Sequence, residues 1–75
     1  MKTYYDRIRE LREDEDISQE RLAELLNLSQ NAISQYELHK RRPDPETIIA
    51  LAKFFNVSTD YLLGVTNIKN KFPER

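Results

Sequence analysis

The residues with chemistry to offer fall in one short stretch. Gln30, Asn31, Ser34 and Gln35 place three amides and a hydroxyl within six positions. An amide presents a donor and an acceptor side by side, and a hydroxyl does both from one oxygen. At about 100° per residue, a helix gathers these four onto one arc of roughly 140°. Ala32, Ile33, Tyr36 and Glu37 share the opposite arc. Such a helix buries one face and shows an uncharged row of paired donors and acceptors on the other. That hardware suits recognition of hydrogen-bonding edges, although taken alone such a row more often serves only as a solvated face. A basic run, Lys40-Arg41-Arg42, follows after His39.

Bond-breaking chemistry finds no equivalent grouping. There is no cysteine, hence no thiolate nucleophile, disulfide framework or thiolate metal site. The single histidine, His39, has no second ligand beside it, and no serine, histidine and aspartate suggest a triad. The sole glycine cannot build a phosphate-cradling loop. Asp14 and Asp16 lack the spaced ligand series and the glycine of a calcium loop. Catalytic residues, bound metal and cofactor are therefore not expected, and the chain is read as no enzyme.

A chain of 75 residues suits one domain with a modest core. No apolar run approaches the roughly 20 residues of a membrane span, and the polar start is no secretory signal. A cytoplasmic location is expected. The net charge of −1 opposes a nucleic-acid partner, since such domains are usually basic. Its distribution softens that objection. Asp6, Glu10, Glu13, Asp14, Glu15, Asp16, Glu20 and Glu24 crowd the first third, whereas Glu37 is the only acid between Leu25 and Arg42. A polarised chain can present one positive face at near-zero net charge.

Caps and periodicity predict five helices to position these residues. Thr3, with Asp6 three residues on, opens the first, from about Tyr4 to Asp14, with Tyr4, Ile8 and Leu11 on one stripe. Tyr4 and Tyr5 are expected to pack. Glu13 to Asp16 carries the chain round a corner. Ser18 caps the second helix, which Asn27 ends in a left-handed turn. Ser29 caps the third, Gln30 to about Glu37. Asp44-Pro45-Glu46 starts the fourth, with Ile48, Leu51, Ala52 and Phe55 inward and Asn56 closing it. Ser58 caps a short fifth helix that Gly64 closes. The reading divides the chain into a domain over 1–64 and a polar tail over 65–75. Leu22, Leu26, Leu28, Ile33 and Tyr36 are placed to wedge the second and third helices together, with small Ala23 where they approach. Phe54, Tyr61 and Phe72 are candidates for a contact surface.

From Ile8 to Gly64, about three quarters of the chain, the sequence resembles the phage-repressor or Cro-like helix-turn-helix family, also called the xenobiotic-response-element family. The segments that carry the likeness are IRELRED, ISQERLAELLNLS, AISQYE, KRRPDPETIIALAKFF and NVSTDYLLG. Asn27 and Asn56 stand where that family usually has glycine. The resemblance implies an all-α, five-helix lambda-repressor-like DNA-binding domain whose third helix enters the major groove. Gln30, Asn31, Ser34 and Gln35 then become base-reading residues, with amides suited to adenine. It implies backbone contacts from Gln19, Ser29, Lys40, Arg41 and Arg42. There the Gln19 peptide N–H and amide meet a phosphate, the amide bracing Gln30. It also implies a buried structural ion pair between Arg12 and Glu37. The function so implied is that of a sequence-specific transcriptional regulator, a repressor, binding a double-stranded operator as a homodimer through its fourth and fifth helices. Two alternatives stay open: a module that binds a protein partner, as antitoxins do, and the DNA-binding half of a longer regulator.

Overall fold

The computed structural model describes residues 3–72, without the side chains of residues 4 and 5. The expected packing of Tyr4 and Tyr5 and the last three residues of the tail lie outside the described residues. Five helices follow one another: α1 (Tyr4–Asp14), α2 (Gln19–Leu25), α3 (Gln30–Glu37), α4 (Pro45–Phe55) and α5 (Thr59–Leu63). No strand occurs among the described residues.

Each start rests on a local cap. The Asp6 carboxylate accepts from the Thr3 N–H at 3.2 Å. Ser18, Ser29 and Ser58 accept through their hydroxyls from the N–H groups of Arg21, Ala32 and Tyr61 at 3.0, 3.1 and 3.0 Å. Asp44 accepts from Thr47 N–H at 2.9 Å, with Pro45 at the first helical position. A cap of this kind contributes about 1 kcal/mol, because it satisfies a donor the helix itself cannot.

The ends share one device. Asp16, Asn27, His39, Asn56 and Gly64 all have left-handed φ, between 54° and 85°. The N–H of the residue after each returns to a carbonyl five positions back: Ile17 to Arg12, Leu28 to Ala23, Lys40 to Gln35, Val57 to Ala52 and Val65 to Asp60, at 2.8–3.3 Å. This closure satisfies the last carbonyls of a helix and turns the chain sharply. Four of the five turn residues carry a Cβ, at a conformation that disfavours one. Ile17, Leu28 and Val57, just past their turns, pack back on the core. The equivalent position after α3 is Lys40, and it is exposed.

The core is a single cluster in which every helix takes part. Ile8 and Leu11, Leu22 and Ala23, Ala32, Ile33 and Tyr36, Ile48, Leu51 and Ala52, then Val57 and Leu62 are all buried. Leu26 and Leu28 pack against it from the α2–α3 side. Burying such side chains supplies the main driving force, on the order of 2 kcal/mol for each large aliphatic one.

Past α5, residues 65–72 fold back onto the helices. Asn70 carbonyl accepts from Ser58 N–H at 2.8 Å, the Phe72 N–H reaches Asn56 Oδ1 at 3.3 Å, and Phe72 packs on the core. Tyr61 also packs against the core and is partly buried, while Phe54 stays 37% exposed.

Candidate nucleic-acid interface

Helix α3 is held by its apolar side. Ala32, Ile33 and Tyr36 are 4%, 0% and 2% exposed, so the helix cannot roll without uncovering the core. That fixes what remains outside. Gln30 and Asn31 are exposed in the first turn, and Ser34 and Gln35 are half-buried on the same side. The structure thus brings all four polar residues onto one outward strip. Ser29 is exposed at its start, with the hydroxyl engaged as the cap. The first N–H groups of a helix lack intrahelical partners and point along the positive end of its dipole, a natural seat for an anion.

An ion pair joins α1 to α3. Arg12 Nε and Nη2 donate to the two oxygens of Glu37 at 2.7 and 3.0 Å, and Nη1 donates to the Ile17 carbonyl at 2.9 Å. The side chains are 14% and 5% exposed. The hydrogen bond to Glu37 pushes the Arg12 pKa up, assisted by the charges of Glu37 and Glu13 and opposed by burial. The fork geometry of guanidinium on carboxylate fixes direction as well as distance.

Gln19 joins the same cluster. Its Nε2 donates to Glu37 Oε1 at 3.1 Å. The expected brace between the Gln19 amide and Gln30 is therefore replaced by a bond to the α1–α3 ion pair. The correction has a simple cause: a buried carboxylate attracts an amide N–H more strongly than a neutral, exposed amide does. One carboxylate now ties together α1, α2 and α3.

Lys40, Arg41 and Arg42 are exposed. The Arg41 guanidinium lies 5.9 Å from the centre of the Tyr36 ring, at the outer reach of a cation–π contact between the basic loop and α3. Arg42 stands at the rim of an apolar groove of about 410 Å³ between α4 and α5, lined by Pro43, Pro45, Ile48, Ile49, Thr59 and Leu63. Beside it the Asp44 carboxyl is held below the usual range by its hydrogen bonds with Thr47. Sequence reasoning did not single out Arg7, which is buried at 3% exposure. The available signal was its register, since Arg7 and Leu11 are one turn apart and Leu11 belongs to the core. Among the described residues no group of acids and histidine could hold a metal ion, and no helix is long and apolar enough to cross a membrane.

Two short helices packed across a left-handed turn, the second baring a polar strip, define a helix-turn-helix domain of the lambda-repressor-like fold. The chain belongs to the helix-turn-helix family whose model matches residues 8–62, the family of the phage repressors. Relatives include the HTH-type transcriptional regulator ImmR of Bacillus subtilis (strain 168), 42% identical over 65 residues that cover 87% of this chain and 51% of ImmR. The HTH-type transcriptional activator BcrR of Enterococcus faecalis is 38% identical over 61 residues, 81% of this chain and 30% of BcrR. Among solved structures, the P22 c2 repressor protein in complex with synthetic operator 9T matches with a TM-score of 0.78 at 36% identity, covering 84% of this chain and 96% of that one. The chain spans about half the length of ImmR and under a third of BcrR.

Proposed function

We propose that this domain binds double-stranded DNA sequence-specifically, as a cytoplasmic transcriptional regulator that represses by occupying an operator. The observation that carries the reading is the two-faced α3: a buried apolar side and an outward strip of Gln30, Asn31, Ser34 and Gln35. In the major groove these side chains meet base edges, the amides pairing best with adenine. Gln19, Ser29 and the basic loop Lys40, Arg41 and Arg42 meet phosphates on either side, which set position without reading sequence. The kinship with a repressor solved on its operator supports the assignment.

One module offers few base contacts, so useful affinity calls for two copies on an inverted repeat. The α4–α5 groove, with Ile49 and Leu63 partly exposed, supplies the apolar surface for the second copy. Selection of bound duplexes from a random pool tests both points. Enrichment of half-sites about 10 base pairs apart is expected. Gln30→Ala and Gln35→Ala should each weaken binding to the selected site about tenfold or more and relax preference at one position, as loss of a bidentate pair does. Unchanged affinity and preference in both variants would remove α3 from the groove.

A further inference from the structure

We infer that residues 65–72 form a strap latched to the helical body by Arg7, and that this strap opens as a discrete step while the helices stay folded. This inference does not depend on the DNA-binding reading. The latch is the Arg7 guanidinium. Nη1 donates to the carbonyls of Tyr61 at 2.8 Å and Thr66 at 3.1 Å, and Nη2 donates to Asn67 Oδ1 at 2.8 Å. Its central carbon lies 3.9 Å from the Tyr61 ring centre, and the strap's Lys69 ammonium lies 5.9 Å from the same centre. One side chain of α1 thereby holds α5 and the strap together.

The far end of the strap answers a separate need. Ser58 is the N-cap of α5 and is fully buried. A backbone N–H that is buried needs a partner. The strap's Asn70 carbonyl supplies it at 2.8 Å. Asn56, in the left-handed turn that ends α4, accepts from the Phe72 N–H at 3.3 Å. The strap therefore crosses the α4–α5 turn and covers the Ser58 amide, gripped by Arg7 at one end and by the turn at the other. Among the described residues Arg7 Nε is buried without a hydrogen bond, and the strap supplies two of the three bonds that the guanidinium makes there. An arginine does not escape this demand by losing its proton.

Amide hydrogen exchange on the full chain tests the latch, with Ser58 N–H as the reporter. That amide should be strongly protected. Arg7→Met and, separately, Asn67→Ala should speed its exchange about tenfold or more, the factor of one lost hydrogen bond of ordinary strength. Amides in α2 and α3 should keep their protection in Asn67→Ala. Because Arg7→Met removes a buried side chain, Asn67→Ala, an exposed position, keeps the test decisive if that variant does not fold. An unprotected Ser58 amide in the unaltered chain would overturn the latch. So would an unchanged Ser58 rate in Asn67→Ala, or a rise in that variant that is equal throughout α2 and α3.

Discussion

The two ends of α1 each place a shielded arginine against a distant element, and they keep its charge in different ways. At the C-terminal end Arg12 meets a carboxylate, Glu37, in a forked pair. At the N-terminal end Arg7 meets two carbonyls, one side-chain amide and the face of a ring. An ion pair concentrates the compensation in one partner, so losing that partner strands the charge. Dipoles spread the compensation, so each loss is partial. The first arrangement braces the surface that carries α3; the second holds a segment that can lift away.

The largest effect should come from the concentrated end. Glu37→Ala should destabilise the fold by about 3 kcal/mol, because Arg12 keeps its charge and loses its counter-ion. For a domain of this size that lowers Tm by about 10 °C or more in a thermal melt. The double variant Arg12→Met with Glu37→Met should regain much of the loss, since no charge is then stranded. A double variant as unstable as Glu37→Ala would show that the pair itself stabilises the fold, beyond mutual neutralisation.

Arg7→Met comes next, at about 2 kcal/mol, the order expected when a charged donor loses its hydrogen bonds while its apolar stem is kept. The melt should show a smaller shift than Glu37→Ala. A larger shift would invert the comparison, making dispersed dipoles the stronger anchor.

These two ends also differ in how far the sequence reveals them. The helices were legible because their signals are local: Ser18, Ser29, Ser58 and Asp44-Pro45 each cap within three residues. Asn27 and Asn56 announced left-handed turns by residue type. Asp16 and His39 did not, since an acid in an acidic run and a histidine in a basic loop both read as solvated; the backbone closure there is what sets their φ. The amide strip of α3 followed from helical angle alone, and the Arg12–Glu37 pair from resemblance. Arg7 was invisible because its partners lie 54 to 60 residues away and two of them are backbone carbonyls, which carry no side-chain signature. For the same reason a polar segment held through its main chain read as a tail. The bond from the Gln19 amide to Glu37 is not legible either, because only the relative positions of three helices decide that partner.

The smallest stability effect should be Gln19→Ala, and it separates the two duties of the concentrated end. Glu37 keeps both Arg12 bonds, so the fold should lose only about 1 kcal/mol, a small shift of Tm. If Gln19 also serves the operator, affinity for the selected site should fall by about tenfold while the salt dependence of binding stays as it was. A neutral amide displaces no counterion, so it adds affinity without adding to the slope of log K against log salt. Arg41→Ala, which removes a charge from the exposed loop, should lower that slope by about 1. Gln19→Ala with undiminished affinity at equal folding would make Gln19 a brace for Glu37 alone. A reduced slope would mean that releasing Glu37 had shifted the cationic loop, and the ion-pair end of α1 would then govern the phosphate contacts as well as the fold.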